Sequence, residues 1–379
     1  MRIVVVGAGL GGTRVVQELR RAGHTGPVAL VGAESALPYD RPPLSKQALQ
    51  DGTPPPELVE DWAALDVDLH LGRTAVALDT GGHRVELDDG TVLPYDVAVL
   101  APGADPIRLP GPRTRGVHVL RTDLDAAALR ADLLEHRSLT VVGGGFLGCE
   151  VAASARQLGC EVDLVERLPG PLVRVLGPVM AQRMADLHTS HGVRLHSGVG
   201  VRALGEDAVE LDDDRTLPGR VVLVALGVRP TTRWLTGSVA LAPDGSVVCD
   251  DLGRTSAPDV WAVGDAATWG DAPQVEHWTS AVEQAAAVAA SLAGTPTQDT
   301  SVPYIWSDQH GSTLQCVGAV SPSTETEVLE VGTGLAALHT DGDRLLGAVL
   351  LDARKLAGRV RRMLTAAEDL ETVRATLQR

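Results

Sequence analysis

The sequence predicts an α/β fold made of two βαβ-based domains and a smaller α+β domain at the C-terminus. Two observations carry this prediction. Apolar strand segments run twice into a glycine-rich turn: Ile3-Val4-Val5-Val6 into Gly7-Ala8-Gly9-Leu10-Gly11-Gly12, and Leu139-Thr140-Val141-Val142 into Gly143-Gly144-Gly145-Phe146-Leu147-Gly148. Each turn opens an amphipathic segment, and each is followed by a second apolar strand ending in an acid. These acids are Glu34, 22 residues past Gly12, and Glu166, 18 residues past Gly148. The spacing is close to the ~20 residues that separate glycine turn and ribose-binding acid in dinucleotide-binding units. A single G-x-G-x-x-G is weak evidence; two in matching context predict two Rossmann-like domains and two dinucleotides.

The elements follow in order. Residues 1–35 read strand, glycine turn, helix, strand, the right-handed βαβ arrangement. The helix is expected over 13–22, with Val15, Val16 and Leu19 inward and Gly23 ending it. Residues 36–60 are proline-rich and irregular. Short alternating strands are expected at 75–78 and 84–87, with Asp88-Asp89-Gly90 as a turn, then an apolar strand from Tyr95 to Ala101. The second copy repeats this order: βαβ over 139–166, a loop to about 175, a helix over 179–188, strands near 199–203 and 209–211, and an apolar run from Val221 to Leu226 ending at Gly227. A strand ending in Val263-Gly264-Asp265-Ala266 and an Ala-rich helix over 281–293 follow. From about 300 the chain reads as a small α+β domain with a basic helix at 354–364. The boundaries expected are 1–108 with 235–299 for the first nucleotide domain, 109–234 for the second and 300–379 for the third.

Composition narrows the function. At 379 residues, 44% hydrophobic and 22% charged, the chain is long enough for several buried cores, and disorder is not expected. With one Phe, three Tyr and six Trp, the cores must be built from Leu, Val and Ala. The formal net charge of −16 argues against a nucleic-acid partner. Against that background, Arg344 to Arg362 carries six basic residues and one acid, Asp352. The four cysteines (Cys149, Cys160, Cys249, Cys316) form no C-x-x-C pair, so neither a metal site nor a redox disulfide is expected. No segment reaches the ~20 apolar residues of a membrane span, and a cytoplasmic protein is expected.

A glycine turn at a helix N-terminus presents backbone N–H groups and the positive end of the helix dipole to a pyrophosphate. Gly7, Gly9 and Gly12 fill that role in the first copy, with Glu34 accepting from ribose hydroxyls. Gly143, Gly145, Gly148 and Glu166 fill it in the second. A carboxylate at Glu166 favours NADH over NADPH, because it repels a 2′-phosphate; the adjacent Arg167 works against that preference. Asp265 suits a polyol chain or, alternatively, a helix N-cap.

Four segments carry a more specific resemblance: Pro38-Tyr39-Asp40-Arg41-Pro42-Pro43-Leu44-Ser45-Lys46, Val263-Gly264-Asp265-Ala266, Val275-Glu276-His277-Trp278 and Val302-Pro303-Tyr304-Ile305-Trp306-Ser307-Asp308-Gln309. In order and spacing over nearly the whole chain they resemble the FAD-dependent NAD(P)H:ferredoxin reductases of the putidaredoxin reductase and biphenyl-dioxygenase reductase type. The resemblance implies a glutathione-reductase-like arrangement in which the first nucleotide domain takes FAD and the second NADH. It implies flavin-holding roles for Gly7, Gly9, Gly12, Glu34, Arg41, Lys46, Val76, Ala101, Gly103, Arg121, Gly264 and Asp265, with Trp278 and Trp306 near the flavin ring. Gly143, Gly145, Gly148, Glu150, Glu166 and Gly227 would serve the nicotinamide nucleotide. Lys46 and Glu150, the latter expected on the first turn of its helix, are the candidate catalytic pair. The ammonium would stabilise negative charge on reduced flavin, and the carboxylate would orient it.

The acceptor implied is a 2Fe–2S ferredoxin that feeds an oxygenase, with a homodimer left open. Rubredoxin, oxygen, a quinone or a small molecule are alternative acceptors, and a signalling flavoprotein like the apoptosis-inducing factor group is a different class. Three departures from the pattern stand out. Ala101-Pro102-Gly103 replaces the usual Ala-Thr-Gly, the last domain is short, and no cysteine lies near Leu44–Lys46, where disulfide-reducing relatives carry theirs.

Overall fold

The computed structural model describes residues 1–111, 115–270, 278–296 and 302–377. Residues 275–277 of the third resemblance segment lie outside these. By contacts the chain divides into two compact units. One comprises Met1–Asp40, Pro56–Asp105 and Val228–Ser301; the other comprises Arg41–Pro55, Pro106–Gly227 and Val302–Arg379.

The first unit is organised by a five-stranded sheet in the spatial order Val260–Ala262, Val97–Leu100, Ile3–Val6, Val28–Gly32, Asp68–Leu71, every pairing parallel. All four residues of Ile3–Val6 are buried, as in parallel sheets covered on both faces. On one face the helix Leu10–Arg21 packs through Val15, Val16 and Leu19, joined in the same core by Ala285, Val288 and Ala289 of the helix Trp278–Leu292. The helix Leu10–Arg21 stops where Gly23 turns to φ +86°, with Gly23 N–H donating to the Arg20 carbonyl and His24 N–H to that of Leu19. A three-stranded antiparallel meander, Ala75–Asp79, Arg84–Leu87 and Val92–Pro94, completes the copy.

The second unit repeats the plan. Its parallel sheet runs Val193–Ser197, Glu161–Glu166, Ser138–Val142, Val222–Val224, Val117–His118, and its meander is Val201–Leu204, Ala208–Leu211, Thr216–Pro218. The duplication expected from the two glycine turns therefore extends to the meanders. The same unit holds a five-stranded antiparallel sheet ordered Tyr304–Gln309, Ser312–Gly318, Arg344–Leu351, Gly334–Asp341, Glu325–Val331. Val360, Met363, Val373 and Leu377 from the helices Ala357–Ala366 and Leu370–Leu377 cover it.

Two elements depart from expectation. The helix expected over 179–188 is Val173–Ser190, entered from Leu172 at φ +59° and broken at Gly177 (φ 72°, ψ 172°) before Pro178. Proline lacks the N–H for the helical ladder, so a kink replaces the expected loop. Asp265 sits in the short 3₁₀ turn Gly264–Ala266, and the next helix among the described residues is Trp278–Leu292.

Candidate functional site

In the first unit the candidate residues gather at the carboxyl ends of adjacent parallel strands, the edge where such sheets bind ligands. Gly7 follows Ile3–Val6, Glu34 follows Val28–Gly32, Ala101 follows Val97–Leu100, and Gly264 and Asp265 follow Val260–Ala262. The three glycines of the turn divide by role. A Cβ on Gly7 would lie 1.8 Å from the Ala101 carbonyl oxygen, and one on Gly12 would lie 1.9 Å from that of Gly7. Those two are glycine because backbone meets backbone. A Cβ on Gly9 would meet nothing within 4 Å. Gly9 stands at the N-cap of Leu10–Arg21, a helix with no side-chain cap and no acid in its first turn. The packing does not require glycine there, and open space at a helix N-terminus suits the close approach of an anionic group. Residues present thus fit a dinucleotide pyrophosphate.

Around this turn, Tyr39 Oη donates to Glu34 Oε2 at 2.5 Å, which aims the carboxylate. Gly264, at φ +73°, donates its N–H to Gln284 Oε1 at 2.7 Å, leaving Asp265 on the partly exposed side of the turn. Gly103 is also left-handed, at φ +73°, and its carbonyl accepts from Thr231 N–H. Trp278 Nε1 donates to Asp40 Oδ1 at 2.8 Å, and the Arg14 guanidinium lies 5.9 Å from its ring centroid. Val76 is exposed on its meander strand.

The second unit repeats the geometry. A Cβ on Gly143 would meet the Ala225 carbonyl oxygen at 2.3 Å, one on Gly148 that of Gly143 at 2.0 Å, and one on Gly145 nothing within 4 Å. Gly145 is the uncapped N-cap of Phe146–Gln157. Glu166 is already engaged: Oε2 accepts from Gly144 N–H at 2.7 Å and Oε1 from Leu168 N–H at 2.8 Å. Its carboxylate is thereby fixed beside the turn. Arg167 points elsewhere, since a Cβ on Gly200 would lie 2.7 Å from its Nη2 and 2.8 Å from Asp212 Oδ2. Gly227, at φ +98°, closes the run after Val222–Val224.

Lys46 and Glu150 meet, as the sequence reading expects: Nζ lies 2.9 Å from Oε2, with both side chains largely buried. Glu150 is the fifth residue of Phe146–Gln157, so it stands on the second turn of that helix and not the first. One turn further, Ser154 Oγ donates to the Ser45 carbonyl at 2.7 Å and accepts from Gln50 Nε2 at 3.0 Å. Residues 45–50 are thus fastened to one face of the helix. Two hydroxyls complete the carboxylate: Ser45 Oγ donates to Oε2, and Ser307 Oγ donates to Oε1 at 2.7 Å. Arg41 donates to the Arg121 carbonyl at 2.8 Å in the same unit, and Trp306 stacks on Tyr304 with centroids 5.9 Å apart.

Ser45 and Ser307 are neighbours of the candidate pair to which the sequence alone gives no role. A signal existed. Ser307 and Gln309 are two apart on one strand, so they share a face; both are buried, and polar side chains on a buried face need partners.

A family model described as pyridine nucleotide-disulphide oxidoreductase matches residues 1–285. The chain belongs to this family. A second model, described as reductase C-terminal, matches residues 304–376. Rhodocoxin reductase of Rhodococcus erythropolis is 36% identical over 92% of this chain and 85% of its own. The ferredoxin reductase component of chlorobenzene dioxygenase from Cupriavidus sp. (strain PS12) is 35% identical over 98% and 94%. Among solved structures, the covalent putidaredoxin reductase–putidaredoxin complex matches with a TM-score of 0.91 at 29% identity, covering 97% of this chain and 93% of that one. Despite the family's description, this oxidoreductase has no thiol suited to exchange. All four cysteines are free and buried, and burial pushes the Cys249 and Cys316 thiols up to about 12 and that of Cys149 higher still.

Proposed function

We propose that the protein is an NADH:ferredoxin oxidoreductase that takes FAD at its first glycine turn and NADH at its second. The observation that carries this reading is the repeated turn whose middle glycine, Gly9 or Gly145, faces open space beside an acid already aimed. The names of the relatives and the buried thiols favour ferredoxin over a disulfide as the acceptor. Bound FAD supplies a carrier that accepts two electrons as hydride and releases them one at a time.

The chain's own residues bind and orient. Gly7, Gly9, Gly12, Glu34, Gly264 and Asp265 hold the flavin nucleotide, with Val76, Ala101, Gly103 and Trp278 around it in the first unit. The resemblance adds Arg41, Arg121 and Trp306 as further candidates for the flavin. Gly143, Gly145, Gly148, Glu166 and Gly227 hold NADH. Glu166 is turned to the glycine turn while Arg167 lies by Asp212, an arrangement that disfavours a 2′-phosphate. Lys46 would offer its ammonium to negative charge on the reduced cofactor, and Glu150 fixes the direction of that ammonium. The acceptor is a 2Fe–2S ferredoxin serving an oxygenase, docked on the exposed cations Lys355, Arg359 and Arg362. Drawing on the cell's NADH pool, the reaction belongs in the cytoplasm.

Stopped-flow mixing tests this reading. NADH-reduced protein is expected to reoxidise faster with a 2Fe–2S ferredoxin than with oxygen or a quinone. Faster turnover with either of the latter would assign a different acceptor.

A further inference from the structure

Glu150 is one end of a buried chain of hydrogen bonds that leads away from Lys46. From Glu150 Oε1 the chain passes to Ser307 Oγ at 2.7 Å, then to Gln309 Nε2 at 2.9 Å. Gln309 Oε1 faces His188 Nε2 at 2.9 Å, and His188 Nδ1 faces His310 Nε2 at 3.0 Å. His310 in turn stacks on His191, with centroids 4.4 Å apart. Ser307 and His188 are fully buried and Gln309 is 1% exposed, so the links have no ready replacement by solvent.

The direction of every link follows from the first. A carboxylate paired with Lys46 can only accept, so the Ser307 hydroxyl donates to it. A hydroxyl has one proton, so Ser307 Oγ must accept from Gln309, which turns the amide Nε2 toward it. The amide oxygen then faces His188 and cannot donate, so His188 must carry its proton on Nε2. That leaves Nδ1 of a neutral ring as acceptor, and His310 Nε2–H supplies the proton. Reversing any link sets donor against donor or acceptor against acceptor inside the protein. Burial favours the neutral ring at both histidines: it pulls His188 below its ordinary value, and burial with His188, His191 and Arg156 nearby takes His310 down to about 3.

We infer that Ser307, Gln309 and His188 are positioning residues for Glu150, holding Oε1 so that Oε2 remains turned to Lys46. This rests on the role proposed above for the Lys46–Glu150 pair. Without the chain, Glu150 loses its Oε1 donor and its carboxylate is free to rotate away from the ammonium.

The test separates the two claims. Flavin reduction by NADH is followed in the holoprotein for Ser307→Ala, Gln309→Met and Glu150→Gln, alone and combined. Each of the first two is expected to slow reduction about tenfold with NADH affinity nearly unchanged, and to add nothing in the Glu150→Gln background. If Glu150→Gln leaves the rate unchanged, the role of the pair itself fails. If Glu150→Gln slows reduction but the other two do not, or if their effects multiply with it, the positioning inference fails. A measurement on the unmutated chain needs no turnover: ¹⁵N-histidine NMR is expected to show His188 as the neutral Nε2–H tautomer from pH 6 to 8. The Nδ1–H tautomer, or a ring that titrates in that range, would overturn the inference.

Discussion

Glu150 shows how a short polar side chain acquires a defined direction. Ser45, Lys46 and Ser307 all donate to it, so neither oxygen is left to choose a partner. Replacing Lys46 removes the charge and leaves the scaffold: Lys46→Ala is expected to retain FAD while hydride transfer slows about a hundredfold. Unchanged reduction kinetics at saturating NADH would remove Lys46 from the chemistry. Most of the pair was legible in the sequence, because Lys46 lies in a specific segment and Glu150 follows a glycine turn. His188 was not legible. It is one histidine on a helix whose other inward residues are ordinary core, and nothing local tells that Gln309 will lie opposite it.

A second residue-scale expectation concerns acid. His310 is neutral in the folded chain down to about pH 3, whereas an unfolded histidine takes up its proton near 6.5. Below 6.5 the unfolded state therefore binds more protons, and stability must rise with pH across that range. Urea denaturation is expected to show the unfolding free energy falling from pH 6.5 toward 4. His310→Asn, which suits the left-handed backbone at φ +53°, should flatten part of that slope. Identical slopes would assign the acid sensitivity to other groups.

Among elements, the glycine turns carry the clearest contrast. Gly7 and Gly9 look interchangeable in the sequence, yet only Gly7 is required by packing. Gly7→Ala is expected to destabilise the chain by about 4 kcal/mol or more, because its Cβ meets a carbonyl oxygen at a φ of +108°. Gly9→Ala should lower stability by no more than about 1 kcal/mol while FAD is lost on gel filtration. Retention of FAD by Gly9→Ala would place the pyrophosphate elsewhere. Gly145→Ala should raise the KM for NADH in the same way, with the thermal midpoint nearly unchanged. Strand–turn–helix order was readable because period, glycine and acid agree. The start of Val173–Ser190 was not, since Leu172 offers no capping side chain and Gly177-Pro178 imitates a loop.

At the scale of the whole molecule, charge is distributed against the average. A chain of net charge −16 repels an acidic partner except where basic residues gather. In the 354–362 segment, Arg354 is paired with Asp308 and Arg361 donates to the Val302 carbonyl; Lys355, Arg359 and Arg362 are exposed, Arg359 donating to the Thr376 carbonyl as well. Reversing those three to Glu is expected to slow ferredoxin reduction about tenfold at low ionic strength and to flatten its dependence on salt, with NADH-driven flavin reduction untouched. An unchanged rate would put the dock on another face. The duplicated plan was legible because each glycine motif fixes a strand, a helix and the next strand at once, and the meander strands show as short alternating segments around turn residues. The C-terminal sheet was foreseen only as α+β, since long-range antiparallel pairing leaves no mark in local spacing.

The saturation of Glu150 also limits how this lineage can exchange parts. Its three donors come from positions 45, 46 and 307, so a carboxylate on the nucleotide-binding helix depends on a hydroxyl carried by the C-terminal module. A module with an aliphatic residue at 307 would keep its own core of Val360, Met363 and Val373 yet leave the carboxylate one donor short, and one with an aliphatic residue at 309 would leave the Ser307 hydroxyl without the amide that orients it. Such a chimera is well packed and poorly tuned. In this chain, what the module contributes to the Lys46–Glu150 pair is therefore carried by two polar residues on one strand and not by the hydrophobic core beneath them.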